Sequence, residues 1–414
     1  MLIKKLTLKN WNQFEDVEID LHPRLTVITG ANGAGKSTAL RILSRLLGWN
    51  LNETATPFKL TKGKLLRYKL GGRRNVSLDD NSTFCTIGSV LLESDLQIEL
   101  QVPDKSPSAG YQVNLMPQGM YNPPKGLNIP SHRSPYSYRQ IQSIPVRPHT
   151  RSEAFHRVNN SIMNRLLHDS YDMIPSYHMK ETLISLAVFG KGNEYVSENT
   201  ESYSLFLGFI QILSLLLPPT LGFQTITIRD GEVVLVTASG EFLLDAVSGG
   251  IGAIIDLAWQ IFMYDSEGEP FLVLIDEAEN HLHASMQRRL LPNLIQAFPN
   301  TQFIISTHSP LMVNSVKDSL VYVLKYNENN LVVSELLDFD NKSANASQIL
   351  RDVLGVPVTV PLWVEHVLVD TLDKYRGSEL NADSYIQLKQ DLSEIGLSDH
   401  LPQALGYIQG GGLY

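Results

Sequence analysis

The sequence predicts an α/β protein: a mixed sheet with a flanking antiparallel sheet, a helical insertion and a small C-terminal helical unit. Three stretches carry this. The alternating run Leu25-Thr26-Val27-Ile28-Thr29 leads into Gly30-Ala31-Asn32-Gly33-Ala34-Gly35-Lys36-Ser37-Thr38, which reads G-x-x-x-x-G-K-S ahead of a helix-like segment at 39–47. Far downstream, the apolar run Phe271-Leu272-Val273-Leu274-Ile275 ends in Asp276-Glu277, as expected of a parallel strand buried on both faces with acids at its carboxyl end. Phe303-Ile304-Ile305-Ser306-Thr307-His308 repeats that pattern and ends in a histidine.

In chain order, Leu2–Leu8 and Val17–Leu21 alternate as two strands of a hairpin, and Leu25–Thr29 supplies a third. A basic, polar connector spans 50–81. Phe84–Ile87 and Gln97–Val102 alternate again, which predicts an antiparallel sheet beside the nucleotide site. From Pro103 to Pro148 prolines recur without periodicity, so this stretch is expected to be a long loop or lid rather than core. Helical patterns resume near Ser152 and again at Leu205–Leu217, the latter read as a buried helix. Asp230-Gly231 between Thr225–Arg229 and Glu232–Val236 is a hairpin turn signal. After Asp340, stretches at 347–354, 362–375 and 382–395 read as helices, the last with Tyr385, Leu388, Leu392 and Ile395 on one face. The expected domains are a split head, 1–102 and 220–340, an insertion at 103–219 and a helical unit at 341–414.

With 414 residues and 43% apolar content the chain can bury a sizeable core. Its most apolar stretch, Leu205–Leu217, is too short to span a bilayer, so no membrane is expected. One cysteine, Cys85, rules out an internal disulfide framework, and the opening residues pass straight into strand alternation without a signal peptide. Both point to the cytoplasm. A net charge of −9 argues against a protein that coats nucleic acid. Two basic clusters nevertheless offer possible DNA contact: Lys62, Lys64, Arg67, Lys69, Arg73 and Arg74, then Arg133, Arg139, Arg147, Arg151 and Arg157.

The glycine-rich stretch has the chemistry of a phosphate-binding loop. Glycines let the backbone curl so that N–H groups at Asn32, Gly33, Gly35, Lys36, Ser37 and Thr38 point at a triphosphate, aided by the helix N-terminus. Lys36 is placed to reach the β- and γ-phosphates, and Ser37 and Asp276 to hold Mg²⁺. Glu277 is the candidate base that orients and deprotonates an attacking water, and His308 a contact to the γ-phosphate. Ser248-Gly249-Gly250 opens the apolar helix beginning near Ile254 and offers a second phosphate-binding surface. Asn280-His281-Leu282-His283 lacks a nearby third ligand for a zinc site.

In this order, the P-loop, Ser-Gly-Gly, Leu274-Ile275-Asp276-Glu277-Ala278-Glu279-Asn280-His281-Leu282-His283 and Ser306-Thr307-His308-Ser309-Pro310 resemble the ABC-type ATPase heads of the SMC, RecF and OLD group. The opening Leu8–Asp16 segment resembles that group's N-terminal motif. The likeness covers about residues 1–50 and 240–325. It implies ATP and Mg²⁺ as ligands, Ser248 and Gly250 in the signature loop, Asn280–His283 in the D-loop and His308 as the switch histidine. It also implies head-to-tail pairing of two copies, with Ser248 of one covering the triphosphate held by Lys36 of the other. Asn12 stands where the group commonly has arginine, Ile251 where it often has Gln or Glu, and Gln140 and Gln142 are candidates for its metal-sensing glutamine.

No heptads fill the long gap between Lys36 and Asp276, which separates this chain from the SMC type. Asp338-Phe339-Asp340 has only 74 residues after it, too few for the Toprim nuclease of OLD proteins, and reads as a solvated loop. The order of head, 349–355 segment and helical tail resembles the stand-alone ATPase of Septu-type antiphage systems, whose separate nuclease subunit cuts. The expected function is therefore a slowly hydrolysing regulatory ATPase. It dimerises or forms a higher oligomer through its heads and controls a partner effector, a nuclease. The alternatives are a RecF-like ATP-gated DNA-binding protein and a scaffold that binds ATP without turnover.

Overall fold

The computed structural model describes residues 2–59, 66–69, 84–103, 108–168, 174–265, 268–338, 346–350, 366, 370–375, 382–398, 401 and 404–405. Most of the first basic cluster, Phe339 and Asp340, and much of the expected helices at 347–354 and 362–375 lie outside these residues. The chain divides into two compact units, Met1–Lys342 and Ser343–Tyr414.

The first unit opens with β1 (Ile3–Trp11), β2 (Phe14–Asp20), β3 (Leu25–Gly30) and α1 (Lys36–Ser44). Short strands β4 (Glu53–Thr54), β5 (Thr56–Lys59) and β6 (Leu66–Lys69) precede the long pair β7 (Phe84–Leu92) and β8 (Gln97–Pro103). Then come β9 (Gly110–Tyr111), β10 (Asn114–Pro117), β11 (Gly126–Ile129), α2 (Arg151–His168), α3 (Pro175–Gly190) and α4 (Thr200–Leu216). The remainder runs β12 (Phe223–Arg229), β13 (Glu232–Thr237), β14 (Gly240–Leu243), α5 (Gly249–Tyr264), β15 (Phe271–Ile275), α6 (Ala284–Ala297), β16 (Thr301–Ser306), α7 (Pro310–Val313), β17 (Leu320–Tyr326) and β18 (Val332–Leu336).

Eleven strands form one sheet, ordered β10-β8-β7-β1-β2-β18-β17-β3-β16-β15-β11. The five from β17 to β11 are mutually parallel, and β3, β15 and β16 are buried at every position. That two-sided burial explains their unbroken apolar runs. At the other end β10, β8, β7, β1 and β2 pair antiparallel, and β8 and β2 alternate buried with more exposed residues, because one face packs on the core and the other meets solvent. The sequence predicts this antiparallel part as a flanking sheet. It is instead continuous with the parallel core, since β18 returns from the far end of the unit to pair with β2. A separate three-stranded sheet, β12-β13-β14, contains the expected hairpin, with Asp230 and Gly231 both at positive φ in its turn.

Two further expectations change. The proline-rich stretch is not merely a loop: β11 lies at its centre and closes the parallel core against β15, with Leu127 and Ile129 buried. The flanking Pro123, Pro124 and Pro130 leave too short a run for periodicity to show. Helix α4 is buried on one side only, through Leu205, Phe206, Phe209, Leu213 and Leu216, while Leu207 and Leu215 face outward. The fully enveloped helix is α3, whose residues from Pro175 to Leu186 are nearly all buried, so its sequence carries no amphipathic stripe. Lys180 within it is 1% exposed and donates to the carbonyl of Arg139 at 2.8 Å and to Asp245, with Glu232 at 3.1 Å. This buried cation fixes the segment three residues ahead of Ser248. In the second unit, Leu388 and Leu392 of the helix Ala382–Glu394 pack with Leu372, Tyr375, Leu397 and Ala404, while Tyr385 stays exposed.

Candidate functional site

The P-loop joins β3 to α1, and its glycines are required by shape. Gly30, Gly33 and Gly35 all have positive φ. A Cβ on Gly30 would lie 2.2 Å from the carbonyl oxygen of Leu324, and one on Gly35 would lie 2.4 Å from Cζ of Phe14. Phe14 is fully buried and stacks on Trp11 at a centroid distance of 5.9 Å, so it cannot yield. The Gln13 amide of the same β1–β2 turn donates to the Gly33 carbonyl at 3.3 Å. Accordingly, Gly35→Ala should abolish the rise in melting temperature that ATP gives the parent protein, read by differential scanning fluorimetry; an undiminished rise would contradict this account of the loop.

Lys36 folds back on its own loop, donating to the carbonyls of Gly30 and Ala31, both at 2.9 Å. Among the described residues no carboxylate lies within ion-pair reach of it. Burial lowers its pKa to about 8, against the pull of Asp276, Glu277 and Glu279. An ammonium held only by carbonyls is suited to taking an anion, and bound phosphate would raise its pKa again. Free Lys36 is protonated below about pH 8, so ATP binding draws no proton at pH 7 but takes one up between the free and bound pKa values. Apparent affinity should then fall about tenfold per pH unit above pH 8. Calorimetry in buffers of different ionisation enthalpy checks this, and an uptake equal at pH 7 and pH 9 would refute it.

The hydroxyl of Ser37, at the first turn of α1, donates to Asp276 Oδ1 at 3.0 Å. Parallel pairing of β15 with β16, and of β16 with β3, brings residues 239 positions apart to this contact. A hydroxyl and a carboxylate sharing one point are hard oxygen donors of the kind Mg²⁺ takes beside phosphate oxygens. Ser306, at the end of β16, has no assigned role in the sequence beyond its place in the strand and the Ser306–Pro310 motif, yet it organises the acids. Its hydroxyl donates to Asp276 Oδ1 and accepts from the Glu277 N–H at 2.8 Å.

Glu277 leaves β15 at φ 47, a conformation rare outside glycine, and its Oε2 accepts from the Asn280 side-chain amide at 2.8 Å. Backbone turns from Asn280 N–H to the Glu277 carbonyl and from Leu282 N–H to the Glu279 carbonyl complete the bend before α6. Glu279, not singled out in the sequence, accepts from the backbone N–H of His308. His308 follows β16, is partly buried, and has its pKa lowered by burial and then by Lys36, which keeps the imidazole neutral at pH 7.

The structure therefore brings together Lys36, Ser37, Asp276, Glu277 and His308, with Asn32 exposed on the loop and Thr38 in the first turn of α1. Ser248 is not hydrogen-bonded to them: it precedes α5, is exposed, makes no side-chain cap and forms no hydrogen bond to the P-loop among the described residues. Gly250 lies against the D-loop instead: a Cβ there would meet the His281 carbonyl oxygen at 2.8 Å. His281 is exposed, and His283 caps α6 by accepting from Ser285 N–H. Gln140 and Gln142 are exposed in an irregular segment, not in a strand. In the second basic cluster, Arg157 bonds Glu181, Arg147 bonds Glu153, Arg151 donates to the Asp265 carbonyl and lies over Phe262, and Arg133 is turned inward. Three of the five arginines, Arg133, Arg151 and Arg157, are thus engaged with the rest of the fold, while Arg139 and Arg147 are exposed.

Two protein-family models match the chain. One is described as an AAA domain, over residues 5–87, and one as an AAA domain, putative AbiEii toxin, Type IV TA system, over 198–314. The chain is 22% identical over 390 residues to the Septu protein PtuA of Bacillus thuringiensis, covering 89% of this chain and 88% of that protein. It is 24% identical over 369 residues to the OLD nuclease of Thermus scotoductus, covering 83% of this chain and 66% of that enzyme, so it spans just under two thirds of the nuclease. Among solved structures, an SMC head bound to the C-winged helix domain of ScpA aligns with a TM-score of 0.46 at 16% identity, over 82% of this chain and 98% of that one. The first family match contains the P-loop, and the second contains Ser248, Asp276, Glu277 and His308. AAA-type ATPase models thus match the chain around both halves of the site, and the chain is similar over most of its length to a Septu protein PtuA and to an OLD nuclease.

Proposed function

We propose that the protein binds and slowly hydrolyses ATP with Mg²⁺, that two copies close head to tail around the nucleotide, and that the closed state controls a separate effector, a nuclease, in cytoplasmic antiphage defence. The observation that supports this most is the division of the site. Lys36, Ser37, Asp276, Glu277 and His308 converge, while Ser248 is exposed at the start of another helix and apart from the P-loop's hydrogen bonds. Such an arrangement suits a triphosphate covered by the Ser248 loop of a second copy.

In this reading Lys36 and the loop N–H groups bind the phosphates, Thr38 and α1 add the helix N-terminus, and Ser37 and Asp276 hold Mg²⁺. The ion, when bound, neutralises charge on the phosphate oxygens. The Glu277 carboxylate, oriented by the Asn280 amide on Oε2, accepts the proton of the attacking water as general base, and neutral His308 donates to a γ-phosphate oxygen. The head comprises 1–102 and 220–340 together with β11, and the unit from residue 341 onward offers a partner surface. The RecF-like alternative has less to draw on in the second arginine cluster, where Arg133, Arg151 and Arg157 are engaged by neighbouring groups of the same chain. The test is the purified protein alone: it should hydrolyse ATP in a Lys36-dependent manner and leave DNA intact. DNA cleavage that requires Lys36 without any partner would overturn the effector reading.

A further inference from the structure

We propose that Arg133 is a positioning residue for hydrolysis, one that holds the Glu277–Asn280 turn from the side and ties it to α5. This rests on the ATPase reading above. β11 pairs in register with β15, Ile129 against Ile275, and the Asp276 N–H extends that pairing by donating to the Ile129 carbonyl at 3.0 Å. The chain beyond Ile129 therefore leaves the sheet directly beside Glu277. Two contacts follow within four residues. The Ser131 carbonyl accepts from Asn280 Nδ2 at 3.2 Å, and Arg133 donates from one terminal nitrogen to the Asn280 backbone carbonyl at 3.3 Å. The same Asn280 amide donates to Glu277 Oε2 at 2.8 Å. Asn280 is thus clamped at its side chain and its carbonyl by the 131–133 segment while it orients the candidate base.

The state of the guanidinium argues that this contact has a purpose beyond packing. Its Nε and its other terminal nitrogen are buried without a protein partner, and no carboxylate lies within 4.0 Å of it among the described residues. Leaving donors of a buried cation unpaired is costly, and a neutral side chain of similar size would avoid that cost. What the charge gains is its surroundings: Asp256, Glu279, Asp276 and Glu277 all attract it, and Asp256 and Gln260 line the same cavity as Arg133. Asp256 is on α5, buried, and accepts from the Gln260 amide at 2.9 Å. The helix that carries Ser248 at its start therefore approaches the Glu277 turn twice, through Gly250 against the His281 carbonyl and through Asp256, which shares a cavity lining with Arg133. A shift of α5 when its N-terminus engages a second copy is felt at Glu277 through these two contacts.

The experiment is a double-mutant cycle on ATP turnover with Arg133→Ala, Asn280→Ala and the pair, beside Arg133→Lys. Arg133→Ala should lower kcat by about tenfold or more with KM for ATP within about twofold, and the pair should be no slower than the slower single variant, because both act on one contact. Arg133→Lys, which keeps the charge but not the planar fork, should recover part of the rate. Independent, multiplying effects, or a KM that rises as kcat falls, would overturn the proposal. Hydrogen exchange of the 276–283 peptide gives a readout that needs no turnover: it should quicken in Arg133→Ala and no further in the pair. Unchanged exchange would defeat the proposal even if the wild type proved not to hydrolyse ATP, an outcome that would instead sink the ATPase reading. Arg133→Lys carries both measurements if the alanine variant does not fold.

Discussion

Glu277→Gln lowers ATP turnover by about 10²–10⁴-fold, the usual contribution of a positioned general base, while ATP still binds. The two effects separate because of where the side chain sits. Its Oε2 accepts from Asn280, and the glutamine oxygen can accept the same 2.8 Å bond, so the turn keeps its shape. Lys36, Ser37 and Asp276, which hold the nucleotide and its metal ion in this account, are left as they are. Glutamine cannot take a proton from water. The variant should therefore arrest with ATP bound and accumulate as the closed dimer, seen as an ATP-dependent shift in sedimentation that persists where the parent's decays. Asp276→Asn provides the contrast, weakening Mg²⁺-dependent binding itself. Turnover unchanged in Glu277→Gln would remove the base from the mechanism and leave a scaffold that binds ATP without using it.

How much of this was legible in the sequence depended on whether each feature is local. The P-loop and the strands β3, β15 and β16 were readable because their burial on both faces forces contiguous apolar residues and the phosphate loop forces glycines. The pairing of β2 with β18 was not, since it joins Glu18 to Ser334 across 316 positions and leaves no mark on either strand's own pattern. Helix α3 was missed for the opposite reason from β11: it is buried all round, so no polar face sets its period, whereas β11 is only four residues between prolines. At the site, residue types with a fixed chemical role were found, and those whose role comes from geometry were not. Ser306 is one small polar residue among several until its hydroxyl is seen between Asp276 and the Glu277 N–H. Arg133 reads as one more surface charge in a basic run until its donors are found buried.

The proposed division of the site between two copies predicts a result that binding measurements on one variant cannot imitate. Lys36→Ala removes the phosphate ligand, and Ser248→Arg places a bulky side chain at the exposed start of α5, so each variant alone should lose nearly all turnover. Mixed in equal amounts, half of the dimers carry one copy of each. In such a dimer one site joins an intact P-loop to an intact Ser248 loop, and the other site holds both lesions. If the two sites turn over independently, the mixture should recover about a quarter of the wild-type rate, provided the copies exchange. Ser248→Arg is suited to the test because Ser248 has no cap or P-loop bond to lose within its own chain. Its folding is checked by an unchanged melting temperature in the absence of nucleotide. Recovery requires that Lys36 and Ser248 act on the same triphosphate from different chains. A mixture no faster than its components, with subunit exchange demonstrated by fluorescence energy transfer, would mean that the P-loop works within a single copy and that head-to-tail closure is not the switch.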